Sequence, residues 1–189
     1  MFSDALEQYL PDLRAYARML CGDVTQADDI VQNACLKAWE KRAGFDARKG
    51  VLRGWLFRIV RNEFYSQKRA DKVRDVDNGI AVESDLVADC ELEARTDLLR
   101  MLQAIQSLKH AQRDAFLLVA AAGFTYPEAA EVLGCSEGTV KSRVSRAREI
   151  ALGKFHSDQW SDETETVLAS PIAVLHDALN RIQAISAAA

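Results

Sequence analysis

The sequence predicts an all-α chain: two small helical domains joined by an acidic linker and followed by a tail with one more helix. Three observations carry this reading. Apolar residues recur every three or four positions through most of the chain. Only 9 Gly and 3 Pro interrupt 189 residues, of which 49% are hydrophobic and 28% charged, a balance that suits helical globular domains. The charges are also sorted into blocks: residues 51–75 and 108–155 are net basic, whereas 76–107 and 156–189 are net acidic.

A first helix is expected over residues 4–20, with Leu6, Leu10, Leu13, Ala17 and Leu20 along one side and Cys21, Gly22 and Asp23 closing it. A second over 26–40 carries the stripe Ala27, Ile30, Val31, Ala34, Cys35 and Ala38, leaving Asp28, Asp29, Gln32 and Asn33 for solvent or a partner. Residues 43–50 have Gly near both ends of a charged run and read as a loop. A third helix should run from Leu52 to Ala70. From Asp71 to Glu93 the periodicity disappears and the chain turns acidic, as a flexible linker does. Helical pattern returns at Leu98, Leu99, Leu102 and Ile105, continues from Arg113 to Ala122, and ends in two short helices separated by Gly134. The tail holds a candidate helix from Pro171 to Ile185, with Ser170 as N-cap.

Several classes are disfavoured. No stretch approaches the ~18 to 20 apolar residues of a membrane span, and the start MFSDALEQYL lacks the basic and apolar regions of a signal peptide, so a cytoplasmic protein without a membrane partner is expected. Cys21, Cys35, Cys90 and Cys135 are far apart and show no metal-ligand spacing, so reduced, mostly buried thiols and no metal are expected. His110, His156 and His176 are scattered and no nucleophile and base pair up, so neither an enzyme, a cofactor nor a small-molecule substrate is expected. A net charge of -4 speaks against a nucleic-acid binder only if charge is averaged, since phosphate responds to local charge.

The sharpest local signal is FTYPEAAEVLGCSEGTVKSRVSRARE, residues 124–149. Thr125 and Glu128 form a capping box, Pro127 falls in the first turn, Gly134 stops the helix and Ser136 caps a second one. Ala129 is small where the two helices must cross. The second helix gathers Val140, Val144, Ala147 and Ala151 on one arc. The free side carries Ser142, Ser145 and Arg146, flanked by Thr139 and Arg143 on one edge and by Lys141 and Arg148 on the other. Such a face suits a recognition helix in a major groove, where Arg reads guanine edges and outer cations hold the backbone.

In residues 51–72, Leu52, Leu56, Ile59 and Val60 face one way while Arg58, Arg61, Asn62, Tyr65, Lys68 and Arg69 cluster on the other. Cations interleaved with aromatics, here Trp55, Tyr65 and Phe64, are what an unpaired strand needs, with phosphates on the charges and bases on the rings. Taken alone, the same pattern also fits a solvated face or a membrane-surface helix.

QADDIVQNACLKAWE, GWLFRIVRNEFYSQKR, the acidic linker and TYPEAAEVLGCSEGTVKSRVSRAR, in that order, resemble regions 2 and 4 of the extracytoplasmic-function sigma factors of the sigma-70 family. NEFYSQKR and the second half are most similar to the EcfG-like general stress response type. The resemblance implies a region 2 domain over 1–70, a linker over 71–95, a region 4 domain over 96–155 and a tail over 156–189. It implies that Asp28, Asp29 and Gln32 dock on the clamp coiled coil of the largest subunit of core RNA polymerase. Asn62 and its basic neighbours would then bind the opened minus-10 element of promoter DNA, the loop from Phe45 to Arg53 would select a flipped base, and Ser136 to Arg148 would read the minus-35 duplex. The linker would thread toward the polymerase active centre, and an anti-sigma protein would be a partner.

Gln32-Asn33-Ala34 stands where many relatives have Gln-Glu-Thr, which removes one acidic contact. The tail's Val167, Leu168, Ile172, Leu175, Leu179, Ile182 and Ile185 fit a segment that covers a domain surface, binds a partner or orders only on binding, and of these folding back on the chain is expected. One rival reading is a sigma-like mimic that sequesters an anti-sigma protein without binding DNA, but the intact basic face of Thr139 to Arg148 is of no use to it. Another is a dimeric helix-turn-helix regulator, which leaves the basic aromatic helix unexplained.

Overall fold

The computed structural model describes residues 2–45, 51–73 and 101–157. Most of the expected linker, the centre of the 43–50 loop and the expected tail helix therefore lie outside the described residues, as do Cys90 and His176.

Helix α1 (Phe2–Cys21) buries Leu13, Ala17 and Leu20 of the stripe read from the sequence together with Tyr16, packs Leu6 and Leu10 half-buried against them, and ends where the Gly22 amide donates to the Arg18 carbonyl at 2.8 Å. Asp23 then caps α2 (Val24–Lys41), its carboxylate accepting from the Gln26 amide at 2.6 Å. The helix thus begins two residues earlier than the pattern alone places it. Its buried side is Ala27, Ile30, Val31, Ala34 and Ala38, and three alanines in five positions let α1 and α3 approach closely. A 3₁₀ turn (Arg42–Gly44) leads toward α3 (Leu52–Val73), which inserts Leu56, Phe57, Val60 and Phe64 into the core.

Helix α4, described over 101–106, supplies Met101, Leu102 and Ile105. Helix α5 (His110–Phe116) passes into a π-helical turn over Leu117–Ala121, where the sequence pattern suggests one regular helix to Ala122. The wider turn has a local cause: Gly123 sits at φ 66°, a conformation other residues adopt only with strain, and this lets the Phe124 amide reach back to the Leu118 carbonyl at 2.9 Å. Helices α6 (Tyr126–Leu133) and α7 (Glu137–Ser157) complete the described chain.

The two halves share one apolar core. The Phe57 ring lies 5.0 Å from Tyr16 within the first half and 4.9 Å, edge to face, from Phe124 of the second, so three rings run across the boundary. Polar groups cross it too. The Gln106 amide donates to the Met19 carbonyl at 2.6 Å and accepts from the fully buried Arg113 guanidinium at 2.5 Å. The Arg53 guanidinium donates to the Ala122 carbonyl and lies 4.2 Å over the Phe124 ring. Gly54 marks where α3 passes α6 closely: a Cβ there would stand 3.4 Å from the Val132 methyl, in van der Waals contact.

Candidate nucleic-acid interface

The helix-turn-helix is built by local hydrogen bonds. Thr125 accepts from the Glu128 amide at 3.4 Å while the Glu128 carboxylate accepts from the Thr125 amide at 2.8 Å and from its hydroxyl at 2.7 Å, a reciprocal capping box. These bonds hold the Glu128 carboxyl below its ordinary range. Gly134, at φ 65°, ends α6 in the left-handed region, and its amide returns to the Ala130 carbonyl. Ser136 accepts from the Thr139 amide at 3.2 Å and opens α7. Ala129, Val140, Val144 and Ala147 are buried between the helices, as the pattern requires.

What remains on α7 is polar and outward. Lys141, Ser142, Ser145, Arg146 and Arg148 are exposed, while Thr139 and Arg143 are half-buried along one edge. Lys141 pairs with Glu137 at 2.7 Å, the Ser142 hydroxyl bonds the Thr139 carbonyl at 3.0 Å, and Arg143 lies 3.6 Å from the Cys135 sulfur. The side chains that pattern alone assigns to a groove-facing surface therefore share one open face.

On α3 the expected cationic face is divided. Arg58, Asn62 and Arg69 are exposed. Arg61 and Tyr65 instead turn to α5: the Arg61 Nε donates to one oxygen of Asp114 at 2.7 Å and the Tyr65 hydroxyl to the other at 2.6 Å. Burial, reinforced by Asp114, pushes the Tyr65 phenol well up; the Arg61 guanidinium also rises, because Asp114 outweighs the opposing effect of burial. The Tyr65 ring stands edge to face with His110 at 5.5 Å. Lys68 is half-buried, its ammonium 5.4 Å from the Phe64 ring, and burial lowers its pKa. Of the aromatics expected to stack on bases, Phe64 belongs to the core and Trp55 packs against Phe2 and Phe45.

On α2, Asp29 and Gln32 are exposed, whereas Asp28 is half-buried between Arg18 at 3.7 Å and Arg14 at 3.9 Å. The surface continues to Leu36 and Trp39, 58% and 47% exposed, which the sequence reading did not single out. The signal was present: positions 29, 32, 36 and 39 keep the spacing of one helix face. Arg42 covers the Trp39 ring at 4.3 Å.

A groove of about 550 Å³ lies between the halves, walled by Phe45, Trp55 and Arg58 on one side and by Phe124, Glu128 and Glu131 on the other. Cys21, Cys35 and Cys135 are free thiols, with Cys21 pushed up to about 12 by burial. Among the described residues no cluster of His, Cys, Asp or Glu is arranged to hold a metal ion, and no helix is long and apolar enough to cross a membrane.

A helical bundle followed by a helix-turn-helix, each with a basic face, defines a class of two-part DNA-reading protein, and comparison with known proteins identifies which. Residues 5–74 match sigma-70 region 2 and residues 98–150 match sigma-70 region 4. The extracytoplasmic-function sigma factor EcfG of Rhodopseudomonas palustris is 40% identical over 155 residues, 81% of this chain and 84% of that one. The sigma factor NccH of Alcaligenes xylosoxydans is 32% identical, over 84% and 88%. Among solved structures, the Bartonella quintana sigma factor RpoE, in complex with the anti-sigma factor NepR, superposes with a TM-score of 0.69 at 40% identity, covering 84% of this chain and 98% of that one. CnrH in complex with the cytosolic domain of CnrY gives 0.65 at 28% identity, over 84% and 89%. The chain belongs to the extracytoplasmic-function sigma factors of the sigma-70 family.

Replacing Thr125 with Ala should cost about 1 kcal/mol of stability at neutral pH, read by urea unfolding. Because the folded Glu128 carboxyl titrates below its ordinary value of 4.5, the box contributes fully above that pH and is lost as acid protonates it. The difference between variant and parent should therefore shrink in acid.

Proposed function

We propose that this chain binds core RNA polymerase and directs it to promoters as a non-catalytic initiation subunit, serving a stress response in the cytoplasm. The observation that carries the reading is the conjunction of two cationic helical faces of different character on one family-defining fold. The face of α7 is rich in short hydroxyls and Arg and is open, which suits reading of a minus-35 duplex by Ser136, Thr139, Lys141, Ser142, Arg143, Arg146 and Arg148. The face of α3, with Arg58, Arg61, Asn62, Tyr65, Lys68 and Arg69, suits the unpaired strand of a minus-10 element.

Polymerase docking is assigned to Asp28, Asp29 and Gln32 on α2, extended by Leu36 and Trp39, because acidic, polar and apolar groups on one exposed helix face fit a large protein partner. The domains are assigned as 1–70 and 96–155, joined by 71–95 and followed by a tail over 156–189. An anti-sigma protein is the expected partner, since one solved relative is in complex with the anti-sigma factor NepR. The open face of α7 favours a factor that reads DNA over a mimic that only sequesters an inhibitor.

Run-off transcription with core polymerase across a set of promoter fragments tests this. The chain should confer start-site selection, and its failure to do so at low salt without inhibitors would sink the assignment. Arg146→Ala should weaken one preferred duplex sequence by about 1 to 3 kcal/mol while polymerase binding persists. Asp29→Arg should abolish polymerase binding and leave duplex binding intact; normal association with core enzyme would move the docking face elsewhere.

A further inference from the structure

We propose that the acidic run of residues 158–165 doubles back along α7 and occupies its outward basic face, so that duplex DNA must displace a tethered set of carboxylates to bind there. The inference rests on the assignment of α7 to a duplex and adds what that face holds when no DNA is present.

Charge on α7 is one-sided. Lys141, Arg143, Arg146, Arg148 and Lys154 stand against Glu137 and Glu149 alone. Glu137 answers Lys141 at 2.7 Å, but among the described residues no carboxylate pairs with Arg146 or Arg148, and both are exposed. The chain then supplies acid at once: residues 158–165 read DQWSDETE, with Asp158, Asp162, Glu163 and Glu165 and no base. This run lies outside the described residues and beyond the region 4 match, which ends at residue 150.

Its reach fits the face. Arg148 and Arg146 lie about 14 and 17 Å along the helix axis from the end of α7 at Ser157, at ~1.5 Å per residue. Extended chain carries Asp162 about 17 Å and Glu165 about 27 Å from the same point, so a return along the helix brings carboxylates level with both guanidinium groups. Each exposed pair is weak and screened by salt, yet a short tether holds the carboxylates at high effective concentration beside the face. Carboxylates compete for cations and offer nothing that replaces base edges. A duplex held through phosphates alone meets the full competition, whereas one that also satisfies base contacts at Ser142, Ser145 and Arg146 overcomes it. The run therefore acts as a filter against unspecific duplex.

The experiment uses the full chain. One variant combines Asp158→Asn, Asp162→Asn, Glu163→Gln and Glu165→Gln. By fluorescence anisotropy it should bind a mixed-sequence duplex about tenfold tighter than the parent at ~50 mM salt, with the gap closing as salt rises. Contact is read separately in Arg148→Lys, which keeps the charge and gains an amine. A water-soluble carbodiimide should couple that amine to a carboxylate of 158–165 in the monomer, found by peptide mass spectrometry, and excess duplex should suppress the product. Tighter binding without the cross-link marks a long-range effect of net charge and overturns the docking. A cross-link confined to dimers gives the face to a second copy and overturns it as well. Equal affinity of the amide variant and the parent overturns the competition, and the reading of α7 survives that result if Arg146→Ala still weakens duplex binding. If neither the amide variant nor Arg146→Ala changes duplex affinity, the reading of α7 falls with the inference.

Discussion

The arrangement depends on a boundary at which neither half is complete alone. Phe57 is the middle of three rings that join α1, α3 and the segment before α6, and the fully buried Arg113 donates to Gln106, which in turn bonds the first half's Met19 carbonyl. Each half is short, and units of that size bury too little apolar surface to be comfortably stable. Packing them against each other lets one core serve both. The same contact decides which polar surfaces are left for partners.

Those surfaces lie on three helices around the core. The stripe of α2 ends in exposed apolar side chains, α3 keeps cations at its outer positions, and α7 presents hydroxyls and guanidinium groups with its apolar arc turned inward. A protein that must engage a large enzyme, a separated strand and a paired one needs three faces of different chemistry. Three long helices, each amphipathic in its own way, supply them without loops having to be shaped for the purpose. Family membership and this geometry point the same way for independent reasons: one rests on sequence similarity, the other on where charge and burial fall.

Much of this was legible in the sequence where the determining physics is local. The capping box at Thr125 and Glu128, the stop at Gly134 and the cap at Ser136 involve residues three or four apart, and every one of them forms. The buried arc of α7 follows from spacing alone. The π turn at Leu117 was not legible, because apolar spacing does not distinguish a regular helix from a wider turn, and Gly123 read as an ordinary helix stop. The fate of Arg61 and Tyr65 was hidden for a related reason: periodicity sorts side chains into faces but does not say what covers a face, and Asp114 reads in sequence as one more surface acid. Phe64 shows the converse, an aromatic in a basic run that the core claims. The continuation of the α2 face to Leu36 and Trp39 was available from spacing and was passed over because attention fell on charge.

The central claim is that the halves form one cooperative body, and equilibrium unfolding tests it most directly. With Trp160 replaced by Phe, fluorescence reports Trp39 and Trp55 in the first half alone, while a fluorophore on an introduced cysteine on the outer face of α7 reports the second. The account predicts coincident urea transitions for the two probes. Two separated transitions, with the α7 signal lost while the tryptophans remain folded, would contradict it.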